Sequence, residues 1–227
     1  MRNLRRIVTM ALVAAVVALP TAAMALEGET PTDQTTDRVE RDTATTDRPV
    51  RDLSEVKARA LATIAKQHEV LGRLRSAIGN ARHITEAHAD ELLSDVGRTA
   101  DALESLARQI EAATTAEELR GLIEQLDDFQ IKNVLVPKTH QVIASDALVA
   151  GAGALERYSE KLATIVSRFE EAGFDVTEAW RLLDEMDSHI SEGYRLANPV
   201  AGAVIGLQAA DWPDPAQSIL GAARADL

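Results

Sequence analysis

Cysteine is absent from the 227 residues. No disulfide can brace the fold, no zinc site can be built on thiolates, and no N-terminal cysteine can carry a lipid. Aromatic residues make up only 3% of the chain, too few to build a stacking platform for bases or sugars. Basic charge is also short: 24 Lys and Arg face 36 Asp and Glu, for a formal charge of −12. Such a surface repels phosphate, which excludes nucleic acid as a partner and disfavours anionic lipid. Proline is missing between Pro49 and Pro137, so nothing there interrupts a helix from within.

What is present begins with a leader. Arg2, Arg5 and Arg6 precede an apolar run from Ile7 to Leu19, broken only by Thr9. Pro20 ends the run, and Ala23-Met24-Ala25 has the small-x-small form read by signal peptidase. Residues 1–25 are therefore expected to be a cleaved signal peptide. The alternative, a retained anchor, suffers from length: the apolar run gives about 20 Å of helix against a hydrocarbon core of about 30 Å. The residues after Arg5-Arg6 match a twin-arginine signal poorly, so ordinary secretion is expected. Cleavage removes three arginines and no acids, which takes −12 to −15. The expected location is secreted or cell-envelope-associated, with no stable membrane insertion after cleavage.

Residues 26–52 follow as a disordered Thr/Asp-rich spacer. Val39 and Val50 are nearly its only large apolar residues, so it cannot bury enough surface to offset the entropy of ordering. Thr35-Thr36-Asp37-Arg38 recurs as Thr45-Thr46-Asp47-Arg48, a short duplication.

Residues 53–227 read as one helical bundle domain. Asp52 with Glu55 opens a helix over 53–79, with Val56, Ala60, Ile64, Leu71, Leu74 and Ile78 on one face. Thr85 caps a second helix whose seam is Leu92, Val96, Leu103, Leu106 and Ile110, spaced as in a coiled coil. The short link makes the two antiparallel. Thr115 with Glu118 caps a third helix. Its 3-4 spacing runs through Phe129, Asn133, Val136, His140 and Ile143 without losing phase, and continues over Leu155, Tyr158, Leu162, Ile165 and Phe169. That continuity predicts one long helix over 116–172, about 85 Å if unbroken and kinked at Pro137. A strand over Gln130–Val136 is the competing reading, since Ile131, Val134 and Val136 are β-branched. Asp175 with Glu178 opens a further helix, with Trp180, Leu183, Met186, Ile190 and Tyr194 inward, ending near Asn198-Pro199. A last helix starts at Ala216. The expected fold is all-α: an elongated antiparallel helical bundle with coiled-coil-like seams, in two layers that share the long helix.

Catalytic constellations are missing. The histidines His68, His83, His88, His140 and His189 include no pair three or four apart, the spacing that places two ligands on one helical face. No H-E-x-x-H and no phosphate-binding G-x-x-x-x-G-K-[ST] occurs, and Gly202–Gly206 has serine-hydrolase glycine spacing without a serine. No catalytic, cofactor-binding or metal-ligating residue is assigned, no cofactor is expected, and the chain reads as a non-enzyme. His140 is expected to be a hydrogen-bonded core histidine beside the kink.

The order of elements resembles a group of uncharacterised secreted helical proteins of actinobacteria. The resemblance rests on Val56-Lys-Ala-Arg-Ala-Leu61, His83-Ile-Thr-Glu-Ala-His88, Val134-Leu-Val-Pro-Lys-Thr-His140 and the Asp211-Trp-Pro turn. It spans roughly residues 56–227 and implies secretion and a helical fold, with no activity attached. The expected function is an exported non-enzymatic protein acting through protein–protein contacts in the cell envelope or outside it, with an unknown protein partner or by self-association. The alternative is an extracytoplasmic small-ligand binder with a pocket near Asn133, Pro137, His140 and Trp180.

Overall fold

A computed structural model of the chain describes residues 53–227. The leader over 1–25 and the spacer over 26–52 lie outside the described residues. Six α-helices make up most of the rest: α1 (Leu53–Asn80), α2 (Glu86–Ala112), α3 (Ala116–Glu124), α4 (Val136–Glu171), α5 (Thr177–Val204) and α6 (Ala216–Ala225). The described residues contain no strand. Ile131–Leu135 is a π-turn and Val136 opens α4, so the competing strand over Gln130–Val136 is not formed; no second strand among the described residues could pair its backbone.

Local chemistry places two of the helix starts where the sequence does. The Thr85 hydroxyl accepts the His88 N–H at 3.3 Å to start α2. Thr115 accepts the Glu118 N–H at 3.2 Å, and the Glu118 carboxylate accepts the Thr114 N–H at 2.9 Å. Two N–H groups left free by the helix geometry are satisfied there. α1 and α2 are antiparallel: Lys57, near the start of α1, donates to the Glu111 carbonyl at the end of α2, 2.8 Å away. Ile64, Leu71, Leu74 and Ile78 are buried on α1, and Leu92, Val96, Leu103, Leu106 and Ile110 are all buried on α2.

The long helix over 116–172 is not formed. α3 ends at Glu124, a 3-10 turn covers Asp127–Phe129, and Gln130 adopts φ 45°, ψ 32°. A left-handed residue reverses the local helical sense, so no helix passes through it. A π-turn over Ile131–Leu135 then leads into α4, with the Val136 N–H donating to the Ile131 carbonyl five residues back. Pro137 stands in the first turn of α4, where its missing N–H costs nothing.

This break rotates everything after it. The buried positions now include Ile131, Leu135, Lys138, Val142 and Ser145, with Val134, Thr139, Gln141 and Asp146 flanking them; the first five each stand two residues beyond the expected seam and so about 200° around the helix. Asn133 and His140, expected on the seam, are exposed. His140 is therefore not a core histidine.

The start of α4 is held by polar anchors. Gln141 donates to the Leu220 carbonyl of α6 at 2.9 Å, and Ser145 donates to the Ala197 carbonyl of α5 at 2.8 Å. α5 runs past Asn198 with Pro199 inside it and ends at Val204. Its last turns and α6 join the same core as α1 and α2 through Val200, Val204, Leu207, Ala216 and Leu220. The C-terminal segment thus packs into the core that α1 and α2 form.

Candidate functional site

Three places gather chemistry. The first is a cleft of about 190 Å³ lined by residues that include Asp95, Arg98, Thr99, Phe129, Lys138 and Leu207. Lys138 is 1% exposed. Its ammonium donates to the Asp95 carboxylate and, at 2.7 Å, to the Leu207 carbonyl. Arg98 covers the other oxygen of Asp95. Each buried charge is paired, as a low-dielectric interior requires. What remains of the Asp95 carboxylate has little capacity for a ligand. This network escaped the sequence reading; its one signal was Asp95 standing beside the apolar seam of α2, with Thr99 filling one place in that seam.

The second place is the His88–Asp146 pair. His88 Nδ1 lies 2.9 Å from Asp146 Oδ2, and the same oxygen accepts the Thr85 N–H at 2.8 Å. Asp146 on α4 thus holds the first turn of α2, an anchoring role. Among the described residues no group of His, Asp or Glu is arranged to hold a metal ion.

The third is the outer part of the α4–α5 pair. Ser145, Ser159 and Val166 on α4 and Leu183, Ala197 and Val204 on α5 are buried, with Ala152 and Ile190 half-buried between them; each set repeats every seven residues and marks the strip that α4 and α5 turn towards each other. Ser145 fixes the register by also accepting the Ala201 N–H at 3.3 Å, and Trp180 Nε1 donates to Glu170 at 3.2 Å. The small side chains on α4 allow close approach, and they turn the larger ones away. Leu148, Leu155, Tyr158, Ile165 and Phe169 are 43 to 50% exposed. With half-buried Gly151 and Leu162 they step by three and four residues, the spacing of a coiled-coil seam. The seam expected to point inward along 155–169 points outward, because α4 meets α5 through the neighbouring strip.

The end of α4 is built for exposure as well. The Gly173 N–H donates to the Glu170 carbonyl at 2.9 Å and the Phe174 N–H to the Phe169 carbonyl at 3.0 Å, with Gly173 at φ 81°. This paired closure needs a residue that accepts a left-handed backbone, here glycine. The Phe169 and Phe174 rings meet edge to face at 5.6 Å, and both stay half exposed.

The four residues named for a ligand pocket do not converge. Asn133 and His140 are exposed, Pro137 is half-buried, and Trp180 sits on α5 against Glu170. None of them lines the cleft at Lys138. Of the other histidines, His83 and His189 are exposed and His68 is half-buried. No helix among the described residues is long and apolar enough to cross a membrane. No protein family, no curated protein and no solved structure matches the chain.

Proposed function

We propose that the chain is an exported, non-enzymatic helical protein that acts through protein–protein contacts in the cell envelope or outside it, and that the contact surface is the outward seam of α4. The observation that carries this is the exposure of Leu155, Tyr158, Ile165 and Phe169 at coiled-coil spacing. Monomeric proteins rarely leave contiguous apolar patches of more than a few hundred Å² in water, and larger ones mark interaction sites. The leader read from residues 1–25 supplies the export, and the resemblance to secreted helical proteins of actinobacteria agrees with it. These 227 residues contain no cysteine, so neither a cysteine-linked lipid nor a disulfide would attach the chain to the envelope. Within this reading α1 with α2, and α4 with its partner, form coiled-coil-like seams, and the bundle is an elongated one.

The test has two parts. N-terminal sequencing of the exported protein should start at Leu26; an intact Met1 removes the export argument. A photoreactive residue at position 158 should then give cross-linked protein species in the extracytoplasmic fraction of producing cells, whereas one at exposed Asp101 on α2 should give none. Absence of any product at position 158 overturns the contact surface.

A further inference from the structure

We infer that the occupant of the α4 seam is a second copy of this chain, with the α4–α5 pairs of two copies closing an antiparallel four-helix bundle around a two-fold axis parallel to the helices. The inference rests on the contact role proposed for this surface and names its partner.

The apolar surface is of sufficient size. The seam from Leu148 to Phe169 is about 32 Å long. Its half-exposed large side chains, with Phe174, leave on the order of 500 Å² of apolar surface on each copy. A two-fold contact counts that twice and reaches about 1,000 Å², where specific interfaces begin. α5 supplies the facing strip. At about 100° per residue, half-buried Leu182, Met186 and Leu196 lie on the side of α5 that shares a face with the α4 seam.

Charge chooses the arrangement. Beside the α4 seam, on the edge away from α5, stand Lys161 and Arg168, seven residues apart and without an ion pair among those formed by the described residues. The corresponding edge of α5 carries Glu178, Glu185 and Glu192, again seven apart. Glu178 and Glu185 share one arginine, Arg181, and Glu192 holds Arg195, so carboxylate lone pairs remain for a partner. If α4 faced α4 of the second copy, cations would meet cations and acids would meet acids. If α4 faces α5, the signs oppose. The levels agree too: the bonds of Ser145 to Ala197 and Ala201, and of Trp180 to Glu170, set Arg168 level with Glu178 and Lys161 level with Glu185. Such exposed pairs add little affinity and mainly select orientation. The seam supplies the association.

Sedimentation equilibrium of the exported protein between about 1 and 200 μM, the range in which interfaces of this size associate, should return twice the chain mass. Tyr158→Glu with Ile165→Glu should return the single-chain mass with unchanged helical circular dichroism, since both side chains are exposed in the single chain. Lys161→Glu with Arg168→Glu should weaken association about tenfold at low salt. Adding Glu178→Lys with Glu185→Lys in the same chain should restore it. A wild-type single chain throughout that range, a dimer that survives Tyr158→Glu with Ile165→Glu, or a charge reversal without effect or without rescue each overturns the inference. Cross-links from position 158 to a different protein would then leave the broader contact role standing, whereas no cross-link at all would remove both.

Discussion

The ammonium of Lys138 on α4 is buried against the carboxylate of Asp95 on α2, 43 positions earlier in the chain. This pair ties the segment after the π-turn to the α1–α2 core. A buried charge that loses its partner costs far more than the pair itself contributes. Lys138→Met leaves Asp95 with Arg98 alone and the Leu207 carbonyl without its donor, and should destabilise the protein by about 3 kcal/mol, read as a lower urea midpoint with an unchanged slope. Lys138→Met combined with Asp95→Leu should recover most of the loss. A double variant no better than the single one would show that the pair is not the source.

Gly173 closes α4 at φ 81°, a backbone that a Cβ disfavours. Nothing lies within 4 Å of where that Cβ would stand, so the cost of Gly173→Ala is conformational alone, about 1 kcal/mol. Thermal unfolding should show the decrease. A neutral result would mean that the α4–α5 turn had relaxed into another form.

Thr115→Ala removes the hydroxyl that accepts the Glu118 N–H. N-cap losses of this kind cost about 1 kcal/mol. Thr115→Asp, which keeps an acceptor at the cap, should behave like the wild type in the same chemical denaturation series.

Glu178 and Glu192 sit below the usual carboxylate range, chiefly through hydrogen bonds from Arg181 and Arg195. A group whose folded pKa is lowered stabilises the fold fully above its unfolded value and stops doing so as pH falls through the lowered one. The α5 pairs should thus persist at neutral pH and open only on strong acidification. Carboxyl-carbon NMR titration should show Glu192 titrating at lower pH in the wild type than in Arg195→Gln; coincident curves would contradict the assignment.

Much of the fold was legible because it is local. Thr85 and Thr115 mark helix starts through bonds that each side chain makes with its own neighbours. The Leu92 to Ile110 seam has no break in it to lose phase. The third seam failed for one physical reason: a 3-4 pattern records periodicity, and it does not record whether the chain between two patterned segments stays helical. Gln130 has no glycine-like signature, yet it takes the left-handed backbone, with its side-chain amide donating to the Asp127 carbonyl and its oxygen accepting from Asn133. A two-residue offset followed. It exposed Asn133 and His140 and buried Lys138, a residue that no hydrophobicity pattern would place inside.

The sequence by itself determined that this chain is helical, acidic and free of cysteine, because those properties follow from composition and from interactions three or four residues apart. It also determined that residues 155–169 carry a seam. Only the tertiary structure decided which way that seam points. α4 has two adjacent strips, one of small side chains and one of large apolar ones, and either could have met α5. The small strip did, held by Ser145 against Ala197 and Ala201, and the large strip was left facing water. Periodicity fixes which residues share a face; packing against a partner helix fixes which face is covered.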